Sequence, residues 1–366
     1  MNDFYLKKLI KLLSKYSIDA IFIVPSEILN FLIGHSPLLM ERFQGIFITK
    51  SGEIFYVTPL ICKEEMEKAL CNSGNIFTYR DREGFLQIIQ TVFNQYNLNN
   101  KKIAVCQNSR ASNWIDIVKN YSIELVSGNK LLEELRIIKT NKERKNLREA
   151  SKMIDDVFIE VLKHIKPGIK EKEISNIIKQ LIKEKNSTPS FEPIIASGHN
   201  SSMPHYIGCE RIAEEQDIII MDFGCKFKGL CSDTTRTVFV GNITEKQIKI
   251  YEIVKKSNET GIKNSILGKK ISEIDESARN VIMKEGYGDF FPNRLGHGIG
   301  YSVHEAPYIT GSNELALKEG MAFSIEPGIY LPGEFGIRIE DIVMLSENGT
   351  EVLNNSSKDI IILPAN

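Results

Sequence analysis

The sequence predicts an α+β protein of two domains. A smaller α/β domain spans residues 1–130, and a larger one spans residues 131–366, with duplicated halves around a curved antiparallel sheet. Three observations lead there. At 366 residues the chain exceeds what one ordinary hydrophobic core organises. Its first third alternates helical and strand-like apolar patterns until residues 131–148 (LLEELRIIKTNKERKNLR), where it turns highly charged and marks a boundary near residue 130. Beyond that boundary the same order, helices and then a hairpin, is met twice.

The opening helix carries Leu6, Leu9, Ile10 and Leu13 on one face and Lys7, Lys8, Lys11 and Lys15 on the other. That is an amphipathic surface helix, with neither the unbroken apolar stretch nor the small-residue cleavage site of a signal peptide. Apolar runs at 21–24, 46–49, 54–57 and 103–106 read as strands, and residues 61–70 and 85–96 as helices. His35 and several acids fall here without a close cluster of donors, so this region reads as scaffold or interface. After the charged stretch a long helical pattern runs to about His164 and is stopped by Lys166-Pro167-Gly168. His164 itself reads as a surface residue at a helix C-terminus.

In the larger domain, residues 217–224 and 230–240 flank a turn at 226–229 and read as a hairpin bearing Asp222 and Asp233. Residues 322–330 and 337–345, around a turn at 332–336, read as a second hairpin bearing Glu326 and Glu340. Helical stretches at 171–185, and at 245–257 with 271–285, precede the two hairpins. Each half thus contributes two carboxylates, although the residues themselves scarcely repeat.

Composition excludes several classes. The 42% apolar and 25% charged content fits a soluble globular chain, and a net charge of −1 gives no field for nucleic acid or an anionic membrane. No run approaches the ~18 apolar residues of a membrane span. Six cysteines without a CxxC pair suggest reduced thiols and a cytoplasmic protein.

Five donors in strand-like apolar runs carry the chemistry: Asp222, Asp233, His297, Glu326 and Glu340. Unpaired, such charges are expensive to bury, and a shared cluster of cations is the simplest way to keep them together. Carboxylates with one imidazole suit Mn²⁺, Co²⁺, Fe²⁺ or Zn²⁺. Two such ions could polarise a carbonyl and lower the pKa of a bridging water. Asp233 and Glu340, one from each hairpin, suit the bridging positions; Asp222 would cap one ion, and His297 with Glu326 the other. Gly296, Gly298 and Gly300 would let the backbone come close to the metals. His205 and His304 read as substrate groups, donating to a carbonyl or an oxyanion. Arg338, two residues before Glu340, shares its strand face and would fix a carboxylate. Asp222-Phe223-Gly224 lacks the companions of a kinase magnesium motif, and the glycines around His297 lack a dinucleotide-binding context.

The motifs SGHNSSMPHY, MDFGCKFKGLCSDTTRT, GHGIGYSVHEAP, SIEPGIYLPG and GIRIED together resemble the pita-bread metallopeptidases. The branch is that of Xaa-Pro aminopeptidase (aminopeptidase P) and Xaa-Pro dipeptidase (prolidase). The likeness covers residues 131–345, with a creatinase-type N-terminal domain matched by position and size. It implies two divalent ions, Mn²⁺ foremost, on the five donors, with Asp233 and Glu340 bridging. Glu326 would shuttle a proton to the leaving proline nitrogen, and His205 and His304 would hold the scissile carbonyl. Proline-containing peptides or dipeptides are the implied substrates and a homodimer the implied assembly. Some prolidases carry an arginine at the position of Tyr308, where it can meet a dipeptide's carboxylate; Tyr308 leaves dipeptidase and aminopeptidase both open. Two other readings are a catalytically silent peptide-binding protein of this fold and a creatinase-like amidinohydrolase. The intact donor set speaks against both.

Overall fold

Six short runs rich in Ile, Val and Phe form one mixed sheet in the N-terminal part of the chain. They are β1 (Ala20–Ile23), β2 (Gly45–Thr49), β3 (Ile54–Pro59), β4 (Asn75–Tyr79), β5 (Lys101–Val105) and β6 (Ile123–Ser127), in spatial order β4-β3-β2-β1-β5-β6. The inner pairs β1–β2 and β2–β3 are antiparallel; β3–β4, β1–β5 and β5–β6 are parallel. Helices α1 (Asp3–Lys15), α2 (Glu27–Ile33), α3 (Lys63–Leu70), α4 (Leu86–Gln95), α5 (Ala111–Asn120) and α6 (Asn129–Arg136) accompany the sheet. The structure, a computed structural model, describes residues 2–70, 75–208 and 210–365; Cys71 and Cys209 lie outside the described residues.

The core of this unit is aromatic. Phe47 is fully buried, with ring centroids of Phe22 and Phe55 at 4.7 and 4.9 Å. Five elements of this unit, β4, β6, α2, α5 and α6, had no expectation in the sequence. Strands β4 and β6 lie at the sheet edges, and Leu125 of β6 stays 37% exposed, so neither shows a clean apolar alternation. Helix α2 spans only seven residues and depends on local chemistry: the Ser26 hydroxyl caps Leu29 N–H, and Gly34 closes it at φ +80°. α5 is partly exposed, with Ile115 and Val118 on its open face.

The chain divides into two compact units between Arg136 and Ile137. The sequence put the boundary near residue 130. Helix α6 stays with the first unit, where Lys15 Nζ and Tyr16 Oη donate to the Glu134 carboxylate at 2.6 and 2.5 Å.

The second unit opens with α7 (Asn141–Val161), started by a capping box in which Thr140 and Glu143 satisfy each other's backbone N–H. α8 (Glu171–Glu184) follows. Then come β7 (Thr188–Pro189), β8 (Ile194–Ser197), β9 (Ile218–Phe223), β10 (Cys225–Phe227), β11 (Leu230–Cys231) and β12 (Thr234–Val240). The second half repeats the plan with α9 (Glu245–Asn264), α10 (Ile271–Lys284), β13 (Gly296–Gly298), β14 (Glu305–Ile309), β15 (Ala322–Ile325), β16 (Gly328–Leu331), β17 (Phe335–Arg338) and β18 (Asp341–Ser346). β19 (Gly349–Val352) and β20 (Ile362–Leu363) close the chain. The first half forms the sheet β20-β12-β9-β8 and the second β14-β13-β15-β18-β19. Each sheet buries one face under its helix pair. Ile154, Phe158, Ile174 and Ile178 pack on Ile219, Met221 and Val238; Ile250, Val254, Ile274 and Ala278 pack on Phe323, Ile325 and Val343. Each such side chain, fully buried, contributes about 1.5–3 kcal/mol.

The two long hairpins of the sequence reading are broken in the structure, and the breaks shape the site. β9 pairs with β12, but the tip strands β10 and β11 join β7 in a separate sheet. Likewise β15 pairs with β18, while β16 and β17 form their own ribbon. Asp233 lies in the first break, and Glu326 and Glu340 in the second. Of the four carboxylates, only Asp222 sits within a strand. Pro327 helps end β15, because it cannot donate to a ladder. A Cβ on Gly224 would come 1.9 Å from the Ser232 carbonyl oxygen, so only glycine lets the chain cross itself there. Helix α9 also runs past its expected end at 257. The buried polar pair Ser257 and Asn258 is satisfied by backbone carbonyls, and Gly261 lets the helix lie against Ile325.

The halves meet where Thr235 bridges Glu340 and where Thr237 Oγ1 donates to the Arg338 carbonyl at 2.8 Å. Buried Arg236 spans the same seam, donating to Asp341 Oδ1 at 2.6 Å and to the Ser356 carbonyl at 3.0 Å. Among the described residues no helix is long and apolar enough to cross a membrane.

Candidate metal centre

The strand breaks turn side chains out of the regular alternation and toward one another. Donor atoms of Asp233, His297 and Glu340, one at each of two breaks and one on β13, lie within 4.8 Å of each other, all buried. His297 Nε2 is 3.8 Å from Asp233 Oδ2 and 3.1 Å from Glu326 Oε1, which brings the fourth donor into the cluster. Asp222 reaches it from β9 and receives Arg338 Nη2 on Oδ2 at 2.6 Å.

Supporting contacts fix each group. His297 Nδ1 lies 3.1 Å from the Gly298 carbonyl oxygen. A carbonyl only accepts, so Nδ1 carries a proton, and Nε2 is the nitrogen turned to the carboxylates. Ser324 Oγ accepts from His297 N–H and donates to Glu326 Oε1, both at 2.9 Å. Thr235 Oγ1 donates to Glu340 Oε2 at 2.8 Å. Arg338 also donates to Thr235 Oγ1, the Tyr330 hydroxyl and the Pro204 carbonyl.

The residues fit a cation. Asp222 Oδ1, Asp233 Oδ1 and Glu340 Oε1 are buried oxygens with no hydrogen-bond donor among the described residues. Burial, with Glu340 and Asp222 alongside, pushes the Asp233 carboxyl well above its usual range. Burial and the charges of Glu326 and Asp222 do the same to Glu340. Burial also raises Asp222, against the pull of Arg338. For Glu326 burial is outweighed by His297, Arg338 and Ser324, which lower it to about 2. Four carboxylates facing one imidazole and one guanidinium leave surplus negative charge, and a divalent cation of hard or borderline character would neutralise it.

The remaining expected residues stand at the rim. His304 packs edge-on against His297 with ring centroids 4.3 Å apart, and its far side is open to solvent. Desolvation by the crowded wall, with His297 and Arg294 adding positive charge, lowers its pKa to about 4, so it is neutral near pH 7. His205 lies exposed on the loop after β8, close enough for its charge to be felt at His304. Tyr308 pairs with His297 across β13 and β14, and the Arg294 guanidinium lies 4.7 Å over its ring.

The glycines around His297 also answer to packing. A Cβ on Gly296 or Gly298 would strike the Ser324 and Ala306 carbonyl oxygens at 1.9 and 2.2 Å. On Gly300 it would strike the Glu305 carboxylate at 2.5 Å. The glycines are required by the tight packing of β13 between β14 and β15.

Several contributors were missed from sequence. Thr235 and Ser324 each stand two residues from a candidate ligand, and strand alternation could have flagged them. Tyr330, Arg294, and the buried pair of Lys139 Nζ with Glu305 Oε1 at 2.8 Å carry no such local signal.

Comparisons with known proteins identify the family. Residues 145–347 match the model of metallopeptidase family M24, and residues 6–138 that of the creatinase/prolidase N-terminal domain. A Xaa-Pro dipeptidase of Pyrococcus horikoshii is 32% identical over 364 residues, covering 99% of either chain. Among solved structures, a dipeptidase from Pyrococcus horikoshii superposes with a TM-score of 0.90 at 36% identity, covering 98% of this chain and all of that one. A prolidase from Thermococcus sibiricus does so with 0.92 at 34% identity, covering 98% of each.

Proposed function

Because the chain belongs to metallopeptidase family M24, we propose that it is an Xaa-Pro peptidase, cleaving the bond before proline in dipeptides or at the N-terminus of longer peptides. The observation that carries this reading is the convergence of buried donor atoms of Asp233, His297 and Glu340 within 4.8 Å of one another. In this reading two divalent ions, Mn²⁺ foremost, would be held by Asp222, Asp233, His297, Glu326 and Glu340, and Asp233 and Glu340 would serve both. When bound, such ions supply Lewis acidity toward a carbonyl and acidify water.

The chain's own residues do the rest. Glu326 Oε1 is engaged by Ser324 and His297, so Oε2 accepts the proton from the attacking water and returns it to the leaving proline nitrogen. His304, kept neutral, donates a hydrogen bond to the scissile carbonyl and to the oxyanion it becomes, with His205 opposite. Arg338 restrains Asp222. Proline's tertiary amide lacks the N–H that ordinary peptidases recognise, so its binding rests on shape. Arg294, laid across Tyr308 and without an acidic partner among the described residues, offers a cation to a dipeptide's C-terminal carboxylate.

The test is turnover of Ala-Pro and of a longer Xaa-Pro-Yaa peptide after chelation and return of Mn²⁺ or Co²⁺. Activity should vanish and return with the metal, at two ions per chain by elemental analysis. Turnover that ignores chelation, or none on either peptide, would overturn the reading. Nothing in the site favours a silent binding protein or an amidinohydrolase. The reading extends to a homodimer, supported by the family resemblance and testable by light scattering. It also extends to the cytoplasm, supported by the buried free thiols of Cys62, Cys106 and Cys225.

A further inference from the structure

Helix α9 carries two adjacent, fully buried polar side chains, Ser257 and Asn258. Ser257 Oγ donates to the Ala278 carbonyl at 2.8 Å, a bond that joins α9 to α10. Asn258 faces the sheet instead. Its Nδ2 donates to the Ile325 carbonyl at 2.8 Å and the Ile339 carbonyl at 3.4 Å. Its Oδ1 accepts from Lys358 Nζ at 3.1 Å, and Lys358 also reaches Asp341 Oδ2 at 2.9 Å. The carbonyls fix which way the amide points, since they can only accept.

The two carbonyls are not arbitrary. Ile325 immediately precedes Glu326, and Ile339 immediately precedes Glu340. Both lie at the points where β15–β18 gives way to the ribbon β16–β17, so both belong to backbone that leaves one ladder before entering the next. One amide therefore ties together the two breaks from which the second half's carboxylates are presented. The helix is held close enough for this by Gly261, where a Cβ would come 2.9 Å from Ile325 Cγ2.

We infer that Asn258 is a positioning residue that sets the spacing of Glu326 and Glu340 by gripping the carbonyls before them, and so tunes divalent-cation affinity. The inference rests on the metal-dependent reading above. It touches neither substrate nor the reacting atoms. Partners of this kind, one bond behind the ligands, change metal affinity by about ten- to a hundredfold when removed.

The experiment is calorimetric titration of chelated protein with Mn²⁺, alongside thermal melting, for wild type, Asn258→Ala, Asn258→Asp and Ser257→Ala. Asn258→Ala should weaken Mn²⁺ binding by about ten- to a hundredfold. Asn258→Asp keeps the size and the Lys358 contact but loses the amide N–H; it should weaken binding similarly and serves if the alanine variant fails to fold. Ser257→Ala removes an equally buried bond from the same helix, and should lower the melting temperature while leaving Mn²⁺ affinity within about twofold of wild type. Wild-type affinity in the foldable Asn258 variants, or an equal loss in Ser257→Ala, would overturn the inference. A wild-type protein that binds no Mn²⁺ would overturn it together with the functional reading, and the two failures are thereby told apart.

Discussion

The two units bury very different things. The core of the first is aliphatic and aromatic, with Phe22, Phe47, Phe55, Phe93 and Trp114 among its fully buried side chains. The second buries Asp233, His297, Glu340 and Arg338, the pair Arg236–Asp341, and the pair Lys139–Glu305, where both side chains are 3% exposed. A buried charge is costly unless a partner compensates it. An apolar core is therefore what stability alone favours, and a charged one marks where something else is required. The contrast teaches where to look for chemistry in this chain, and it can be broken or sharpened by experiment.

The largest effect should come from Asp233. Asp233→Ala should lower kcat/KM by about a thousandfold or more, because it removes a candidate bridging ligand, while the first unit stays folded by circular dichroism. Near-normal turnover would remove Asp233 from the centre. His304→Ala should cost about a hundred- to a thousandfold in kcat, the loss expected for one oxyanion donor. A change confined to KM would make it a binding group instead.

Phe47→Ala inverts the comparison. It should cost about 3–5 kcal/mol of stability by leaving a cavity, measured by denaturant unfolding, with kcat per folded molecule unchanged. A large fall in kcat would mean that the first unit takes part in the chemistry. Arg294→Ala should raise KM for Ala-Pro by about tenfold, the value of one exposed charge-assisted contact, and leave KM for an amidated Ala-Pro unaltered. Equal effects on both would take the carboxylate role away from it.

The smallest effect concerns pH. Asp233 and Glu340 have raised pKa values in the fold, so chelated protein binds more protons folded than unfolded above the ordinary carboxylate range. Stability is then lost as pH rises through that window, and the melting temperature of chelated protein should fall by a few degrees from about pH 5 to about pH 8. Saturating Mn²⁺ should flatten the slope. A chelated protein whose melting is level over that range would argue that these carboxylates are not mutually strained.

Much of this was legible in the chain because it is local. The long helices α7 and α8 follow from the spacing of Leu, Ile and Val, although the charged stretch hid the start of α7 at Thr140 and Glu143. The donor motifs were visible as charged residues inside apolar runs, where burial without a partner is unfavourable. Weak edges such as β4 and β6, and the seven-residue α2, escaped because their stability comes from neighbours more than from their own pattern.

What the sequence by itself determined was the kinds of groups available, the duplicated plan of helices and strands, and the family resemblance. Tertiary structure alone decided how those groups meet. The long hairpins had to break at Asp233, Glu326 and Glu340 for the carboxylates to leave the strand alternation. Thr235 reaches Glu340, Arg338 reaches Asp222, and Asn258 reaches the carbonyls of Ile325 and Ile339, across separations of 67 to 116 residues. Such pairings depend on register between distant strands, which no local period encodes.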